Sequence, residues 1–384
     1  MMKNIFKFWI LLIVVIGFIY KAEAQSYAGA GMAGFEFLKL NIDARSSGMA
    51  GPYVCMVDEI NSLPYNPAVM SIINKKTVAG NYNSFIQDIN VFNITGSYPF
   101  FGIGNFGGSI TYLHTGDIPV TGDSPDAIDT ASVNNFGVIA SYSMRIPKIN
   151  NSGFFKYINK MPVGVSLKFF TQSIYESSTV GMALDIGAIY EEPIKNLFLG
   201  ISFLNLGFSG KMEEYSDTLP VTMKFGGMYR FSFYHLNKLS EDMNVYLDIT
   251  KAYGENLLIG LGVESIFYDI GIIRLGYKIL HSTMWITTGL GVKYKNFNFS
   301  YAFLPQGDLG YSHQFSLKYT FKFTKKEEFF KEIEKIKEDV KVDEEAAKKP
   351  AEDKKEKKKE EKKDKKAFIK ELEILKEEIK KEDK

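Results

Sequence analysis

The stretch that decides the fold is Phe315–Phe323, which reads FSLKYTFKF. Every second side chain is large and apolar, and the side chains between them are Ser, Lys or Thr. Successive residues of a β-strand point to opposite faces, so the pattern predicts a strand with one oily face and one polar face. A tilted strand of about 9 to 11 residues crosses the hydrocarbon core of a bilayer. The stretch therefore predicts a membrane-crossing strand.

The same alternation recurs from Thr77 to Phe323 and predicts an all-β fold. Most of the repeats are longer than the roughly 5 or 6 residues of a globular strand. Their even number favours a closed antiparallel transmembrane β-barrel of about fourteen strands, because hydrocarbon cannot satisfy the unpaired backbone of an open sheet edge. The predicted strands lie near residues 77–85, 88–98, 104–114, 135–145, 162–172, 180–190, 195–205, 220–231, 243–251, 257–267, 270–279, 285–294, 296–305 and 312–323.

The connections between these strands differ in length. Tight turns at Tyr268–Asp269, Glu255–Asn256 and Lys295 suit hairpins, which we expect on one rim of the barrel. Longer polar connections at residues 115–134 and 206–219 are typical of the outer loops of such barrels.

Residues 1–24 predict export. Lys3 and Lys7 precede the apolar run Phe8–Tyr20, and Ala22–Ala24 supplies a small-x-small cleavage site before Gln25. This order is the pattern of a secretory signal peptide, so we expect cleavage after Ala24 and an outer-membrane location. The barrel is expected over residues 77–323, after an N-terminal plug segment at residues 25–76.

Residues 324–384 form a separate, Lys/Glu-rich segment for which we predict helix. The even strand count and a periplasmic N-terminus place this tail in the periplasm, where it could reach peptidoglycan or another periplasmic partner. Coiled-coil contact with a partner and a solvated helix remain equally open. Its narrow apolar stripes are Phe329, Ile333, Ile336 and Val340, and Phe368, Leu372, Leu375 and Ile379.

The N-terminal segment carries a series of short motifs. Ala44–Gly51 reads ARSSGMAG, and Leu63–Ala68 reads LPYNPA, with Phe37–Lys39, Tyr53–Val54 and Asp58 around them. In this order the motifs resemble the opening of the PorV/PorQ family, which overlaps the bacterial group UPF0164 and is similar to FadL-type outer-membrane transporters. The resemblance implies a plug that contains Asn66, Pro67 and Ala68, with Gly48 and Gly51 in the segment that enters it.

Two functions follow from this resemblance. A FadL-like barrel implies passage of small hydrophobic compounds across the outer membrane. Its outer surface would then contact outer-membrane lipid. A PorV-like barrel implies docking of secreted proteins in type IX secretion or cell-surface attachment. The charged tail, which departs from the family pattern, adds envelope tethering as a third hypothesis.

Charged residues on the polar face of the strands are candidates for the barrel lumen. They would line the lumen or contact the plug, and they either belong to a substrate path or pair with one another, as the polar interior of a barrel requires. The candidates are Lys168, Asp185, Lys224, Arg230, Asp248, Glu264, Arg274, Lys278 and Lys293.

No motif predicts an enzyme. The G-x-G-x-x-G matches at Gly29 and Gly102 lack the strand-before, helix-after context of a nucleotide site. The four histidines are not at zinc spacing, so no metal, cofactor or catalytic residue is predicted. Cys55, the single cysteine, is expected to be a small buried apolar residue. The net charge of +1 gives no indication of nucleic-acid binding.

Overall fold

The computed structural model describes residues 33–100, 102–121, 127–147, 158–191, 196–212, 215–234, 240–279 and 286–322. These belong to one compact unit, residues 1–99 with 104–321, apart from a short turn and the end of the last range. The predicted signal peptide and the predicted helical tail lie outside the described residues.

Fourteen antiparallel strands close into a barrel, which confirms the predicted architecture. Each predicted range overlaps one of these strands. In chain order they are β1 (Thr77–Ser84), β2 (Asn90–Phe100), β3 (Gly104–His114), β4 (Val133–Arg145), β5 (Pro162–Ile174), β6 (Ser177–Tyr190), β7 (Leu197–Ser209), β8 (Thr222–Tyr234), β9 (Ser240–Ala252), β10 (Leu258–Phe267), β11 (Gly271–Ile279), β12 (Ile286–Tyr294), β13 (Phe297–Pro305) and β14 (Tyr311–Thr320).

The barrel closes between its first and last strands. Thr77, the first residue of β1, is opposite Thr320, the last residue of β14. Both strands therefore meet the same rim, which we call the terminal rim, and the opposite one the loop rim. At the loop rim, short two-stranded ladders join Ile118–Thr121 to Ala127–Ala131 and Lys211–Met212 to Tyr215–Ser216.

The expectation that the tight turns share one rim is wrong. Tyr268–Asp269, between β10 and β11, and Lys295, between β12 and β13, lie at the terminal rim. The Glu255–Asn256 turn, between β9 and β10, lies at the loop rim. Antiparallel strands reverse direction at each connection, so successive connections alternate between the two rims. The rim of a turn therefore depends on its place in the chain and not on its length.

The alternating apolar and polar residues of each strand point to the outside and the inside of the barrel wall, respectively. In β14, Phe315 and Leu317 are exposed on the outside, whereas Ser316 between them is buried. In β5, Leu167 and Phe169 are exposed and Lys168 is 2% exposed. An apolar exterior that continues around a barrel far exceeds the patch a water-soluble monomer tolerates, so hydrocarbon is its physically suitable surrounding.

The N-terminal segment, residues 33–76, lies within the barrel. It contains helix α1 (Ala44–Ser47), helix α2 (Val69–Ile73) and two 3-10 turns, Glu36–Lys39 and Ile60–Ser62. It approaches β1, β3, β5, β6, β7, β8, β9, β10, β11, β12 and β14. A segment that touches strands around the whole circumference of a closed barrel must occupy its interior.

In the part of the chain that the structure describes, no helix is long and apolar enough to cross a membrane.

Candidate functional site

Three pairs of wall glycines receive the N-terminal segment. Each pair consists of residues directly opposite each other on neighbouring strands, so the missing side chains leave a shallow depression in the wall. We call these depressions the glycine sockets. They are Gly164 with Gly187, Gly200 with Gly226, and Gly262 with Gly276.

The first socket holds the Asn-Pro-Ala element. An added Cβ would lie 2.5 Å from the Pro67 carbonyl carbon at Gly164 and 2.0 Å from the Asn66 Oδ1 at Gly187. Asn66 is fully buried, donates to the Val54 carbonyl at 2.9 Å, and accepts from the Ala68 amide at 3.2 Å. The socket therefore allows backbone and amide to pack directly on the wall.

The other two sockets hold the chain on either side of Pro52. Cys55 and Val54 fill the second, where the Cys55 Sγ would lie 2.8 Å from a Cβ at Gly200. Met49 and Ala50 fill the third. In β9, the Asp248 carboxylate accepts hydrogen bonds from the backbone amides of Tyr53 at 2.8 Å and Val54 at 3.1 Å.

The predicted entry glycines have distinct roles. Gly48 ends α1 and approaches the wall glycine Gly289, whose Cα would lie 3.0 Å from an added Cβ. Gly51 has a φ of 85°, a conformation that residues with a Cβ rarely adopt, and packs against Asn41. Asp43 caps α1 by accepting from the Ser46 amide at 3.1 Å.

A row of polar side chains runs across the four neighbouring strands β8 to β11, near the terminal rim. Arg230 is opposite Asn244, Asn244 is opposite Glu264, and Glu264 is opposite Arg274. Asn244 donates to Glu264 at 3.0 Å and Arg274 Nε donates to it at 2.8 Å. Glu264 and Arg274 are almost completely buried, and Arg230 is about one-third exposed.

Arg45 of α1 joins this row from the interior. It donates from Nε to the Glu264 Oε2 at 2.9 Å and from Nη2 to the Oε1 at 2.7 Å. It also faces two acids of its own segment, Asp58 at 3.0 Å and Glu59 at 3.4 Å. Lys318 of β14 pairs with Glu59 at 2.8 Å. The predicted charges Arg230, Glu264 and Arg274 thus belong to one network with the N-terminal segment.

A second buried pair lies wholly in the wall. Lys168 donates to Asn205 and pairs with Asp185, both at 2.8 Å. Asp185 accepts from the Asn205 backbone amide at 2.8 Å where the register of β6 and β7 shifts, and Asn205 has a φ of 60°. The pair therefore holds an irregularity in the barrel wall.

The remaining predicted lumen residues divide between a cavity and a rim. Lys224, Asp248 and Lys278 line a cavity, and the Lys224 Nζ donates to the Thr250 Oγ1 at 3.2 Å. Lys293 is exposed near the terminal rim.

The cavity has a volume of about 560 Å³ and lies at the loop rim. Turn residues such as Phe85, Glu255 and Gln306 surround it, and the N-terminal segment forms its floor. Its apolar lining includes Phe37, Leu40, Tyr65, Ile89, Leu113 and Leu204. A concave, largely apolar space with a few convergent polar groups is the usual form of a small-molecule site.

Ionisable groups of the N-terminal segment are tuned by burial and by this network. Burial raises the pKa of Asp43, as does nearby Glu59. Desolvation also raises the pKa of Asp58, but Arg45 and the other basic neighbours outweigh it and hold that pKa well below its usual range. Burial raises the pKa of Tyr65 well above its usual value, so its phenol stays protonated. Burial raises the pKa of the Cys55 thiol as well, which keeps it protonated and slow to react.

The glycine sockets were not predicted from the sequence. The available signal was a glycine at positions where the strand alternation places an inward side chain, as in Gly262–Val263–Glu264. Glycine at an isolated strand position indicates either a bend or a close approach of another backbone, and sequence alone does not distinguish them.

Metal ligands do not gather anywhere in the described ranges, where no group of three or more His, Cys, Asp or Glu side chains could hold an ion. His114 and His313, the histidines that the structure describes, lie on β3 and β14 and pair with Asn134 and Tyr301. Gly102 lies in the β2–β3 turn with a φ of 78°.

No family model matches the chain. No curated protein matches it in sequence either, so the resemblance to the PorV/PorQ family stays a prediction.

Solved structures do match. A TodX deltaS2S3 mutant, described as a monoaromatic hydrocarbon channel, aligns with a TM-score of 0.50 and 11% identity over 73% of this chain and 99% of that chain. The toluene transporter TodX of Pseudomonas putida aligns with a TM-score of 0.47 and 11% identity, over 73% and 98%. A FadL homologue of Pseudomonas aeruginosa aligns with a TM-score of 0.41 and 12% identity, over 74% and 99%. At such low identity, the first of these matches shows a shared barrel fold.

Proposed function

We propose that this protein is an outer-membrane channel that admits small hydrophobic compounds, with the N-terminal segment acting as its plug. The observation that carries the proposal is the apolar cavity of about 560 Å³, whose floor is the N-terminal segment itself. A ligand in this cavity would rest on the N-terminal segment, which is not a strand of the barrel wall. The apolar exterior and the likeness to a monoaromatic hydrocarbon channel support the same role.

The packing of the barrel interior explains why a compound can pass only if the N-terminal segment moves. Below the cavity, Tyr53, Val54, Met56 and Leu63 are all buried. These side chains fill the middle of the barrel and form the hydrophobic contacts of the segment. Displacement of the segment, or a bend in it, opens the way from the cavity toward the terminal rim, which we place in the periplasm.

Uptake by whole cells tests this function. Cells of a host that lacks such channels are given radiolabelled toluene and a medium-chain fatty acid, with and without the protein. Leu113→Trp fills the cavity from β3 and is expected to lower uptake and ligand binding at least fivefold. Leu167→Trp, the same substitution on the lipid-facing side of β5, is the control and leaves both unchanged. Equal uptake by the Leu113→Trp and Leu167→Trp variants would refute the cavity as the entry site.

Docking of secreted proteins is the second candidate, favoured by the ladder Ile118–Thr121 with Ala127–Ala131. Ile118 is 49% exposed and Ile128 is 71% exposed at the loop rim, where a protein ligand could cover them. Photo-crosslinking from position 128 in intact cells tests it. Recovery of a discrete secreted or surface protein supports docking, and recovery of lipid alone contradicts it. Tethering through the tail stays a prediction from the sequence.

A further inference from the structure

Glu264 accepts hydrogen bonds from three residues at once. Its two oxygens accept from Arg45 twice, from Asn244 and from Arg274. The carboxylate is fully buried. A buried charge that loses its partners is strongly destabilising, so the distribution of these donors decides what can move.

The donors divide between the two parts of the interface. Arg274 and Asn244 belong to the wall and stay beside Glu264 if the N-terminal segment leaves. Arg45 leaves with the segment, and it carries two counter-charges of its own, Asp58 and Glu59. At this contact, therefore, neither Glu264 nor Arg45 is left as a charge without a partner.

Arg274 also has a hydrogen-bond donor that is not in use within the described ranges. Its Nη1 donates to the Leu290 carbonyl at 3.1 Å and to Ser300 at 3.2 Å. Its Nη2 is buried and has no hydrogen-bond partner among the described residues. Nε and Nη2 lie on one edge of a guanidinium, the edge that binds a carboxylate through two parallel hydrogen bonds. At present, the Glu264 Oε1 is taken by the Nη2 of Arg45.

We propose that Glu264 is an exchangeable latch for the N-terminal segment. In the closed state Arg45 takes both oxygens, and Arg274 is limited to one. When Arg45 departs, the Arg274 Nη2 takes the place of Arg45 on Oε1, beside Asn244, and completes a two-bond pair in the wall. Arg274 is thus a positioning residue for the open state. α1 couples the latch to the cavity, because it carries Arg45 on one side and Ser47 at the cavity floor. The inference rests on the proposed plug function.

The latch makes opposite predictions for the two arginines. In the full-length protein reconstituted in lipid vesicles, the maleimide labelling rate of buried Cys55 reports release of the segment. Arg45→Met removes the closed-state bonds and raises the rate about tenfold or more. Arg274→Met removes the open-state partner and lowers the rate at least threefold. Arg274→Lys keeps the charge but cannot form the two-bond pair, and it also lowers the rate.

Arg145→Met is the matched control. Arg145 pairs with Glu191 near the terminal rim, within the wall, so its loss leaves the labelling rate within twofold. Folding of each variant is checked by the heat-dependent shift of barrels on SDS gels, and Arg274→Lys replaces Arg274→Met if the latter does not fold.

A rise in labelling when Arg274 is replaced would overturn the latch, because it is what a merely structural ion pair predicts. Unchanged labelling in both the Arg45 and Arg274 variants would overturn it as well. Opposite changes in labelling without any change in hydrocarbon uptake would support the latch and refute the proposed transport function.

Discussion

Gly187→Ala is the sharpest perturbation of the interface between the N-terminal segment and the wall. Gly187 lies in β6 and forms a socket with Gly164. An added Cβ would lie 2.0 Å from the Asn66 Oδ1 and 2.9 Å from its Cγ. Ordinary carbon–oxygen contact requires more than 3 Å, so the Asn66 side chain must move away from the wall by about 1 Å or more.

The cost of this movement follows from the bonds it breaks. The Asn66 amide loses its hydrogen bonds to the Val54 carbonyl and the Ala68 amide. Each such bond contributes about 1 kcal/mol, and overpacking of a filled site costs about 1–3 kcal/mol more. We therefore expect the substitution to destabilise the seated segment by about 3 kcal/mol. That corresponds to an increase of about a hundredfold in the released population.

Cys55 provides the assay, because it is the only cysteine of the chain and is 1% exposed. Labelling of Cys55 by a maleimide is expected to accelerate in proportion to the released population when reseating is fast. Gly80→Ala is the control, since an added Cβ at Gly80 meets nothing within 4 Å. If folded Gly187→Ala protein is labelled within twofold of the Gly80→Ala rate, the socket does not hold the segment and the reasoning fails.

Three further predictions use the same structure. Asn66→Ala leaves a buried carbonyl unsatisfied, which costs about 1–3 kcal/mol, so Cys55 labelling rises about tenfold; an unchanged rate would exclude Asn66 as an anchor. Lys168→Met leaves Asp185 as an unpaired buried charge, so urea unfolding of the barrel shows a loss of about 3–5 kcal/mol. Adding Asp185→Asn recovers part of that loss, and no recovery would mean that charge is not the cause. The Asp58 carboxylate has a lowered pKa, so its stabilisation is present above its ordinary pKa and is lost as pH falls through the lowered value. Reactivity of Cys55 toward a dipyridyl disulfide should therefore rise below about pH 4 in the wild type. Asp58→Asn should be more reactive at neutral pH and lack this acid dependence, and parallel pH profiles would contradict the assignment.

The strands were predictable because their signal is local. In Phe315–Phe323, neighbouring residues differ in polarity, and the geometry of any strand turns that difference into two faces. The number and order of such stretches then implied closure, since lipid admits no open edge. The rim of each turn was decided by strand parity, which is why the Glu255–Asn256 turn was misplaced.

The candidate site was predictable only in its parts. The Asn66–Ala68 element and the inward charges Glu264 and Arg274 carry recognisable sequence patterns. Their partners do not, because Arg45 meets Glu264 from a position 219 residues away. Gly164 and Gly187 form a socket only when β5 and β6 pair in one register.

The sequence by itself determined which side chains meet lipid and which face inward, because a two-residue period is a property of each strand alone. Only the tertiary structure decided what the interior is for. Which glycines become sockets, which carboxylate serves two arginines and where a cavity remains depend on distances between distant segments, and those distances are set when the barrel closes around residues 33–76.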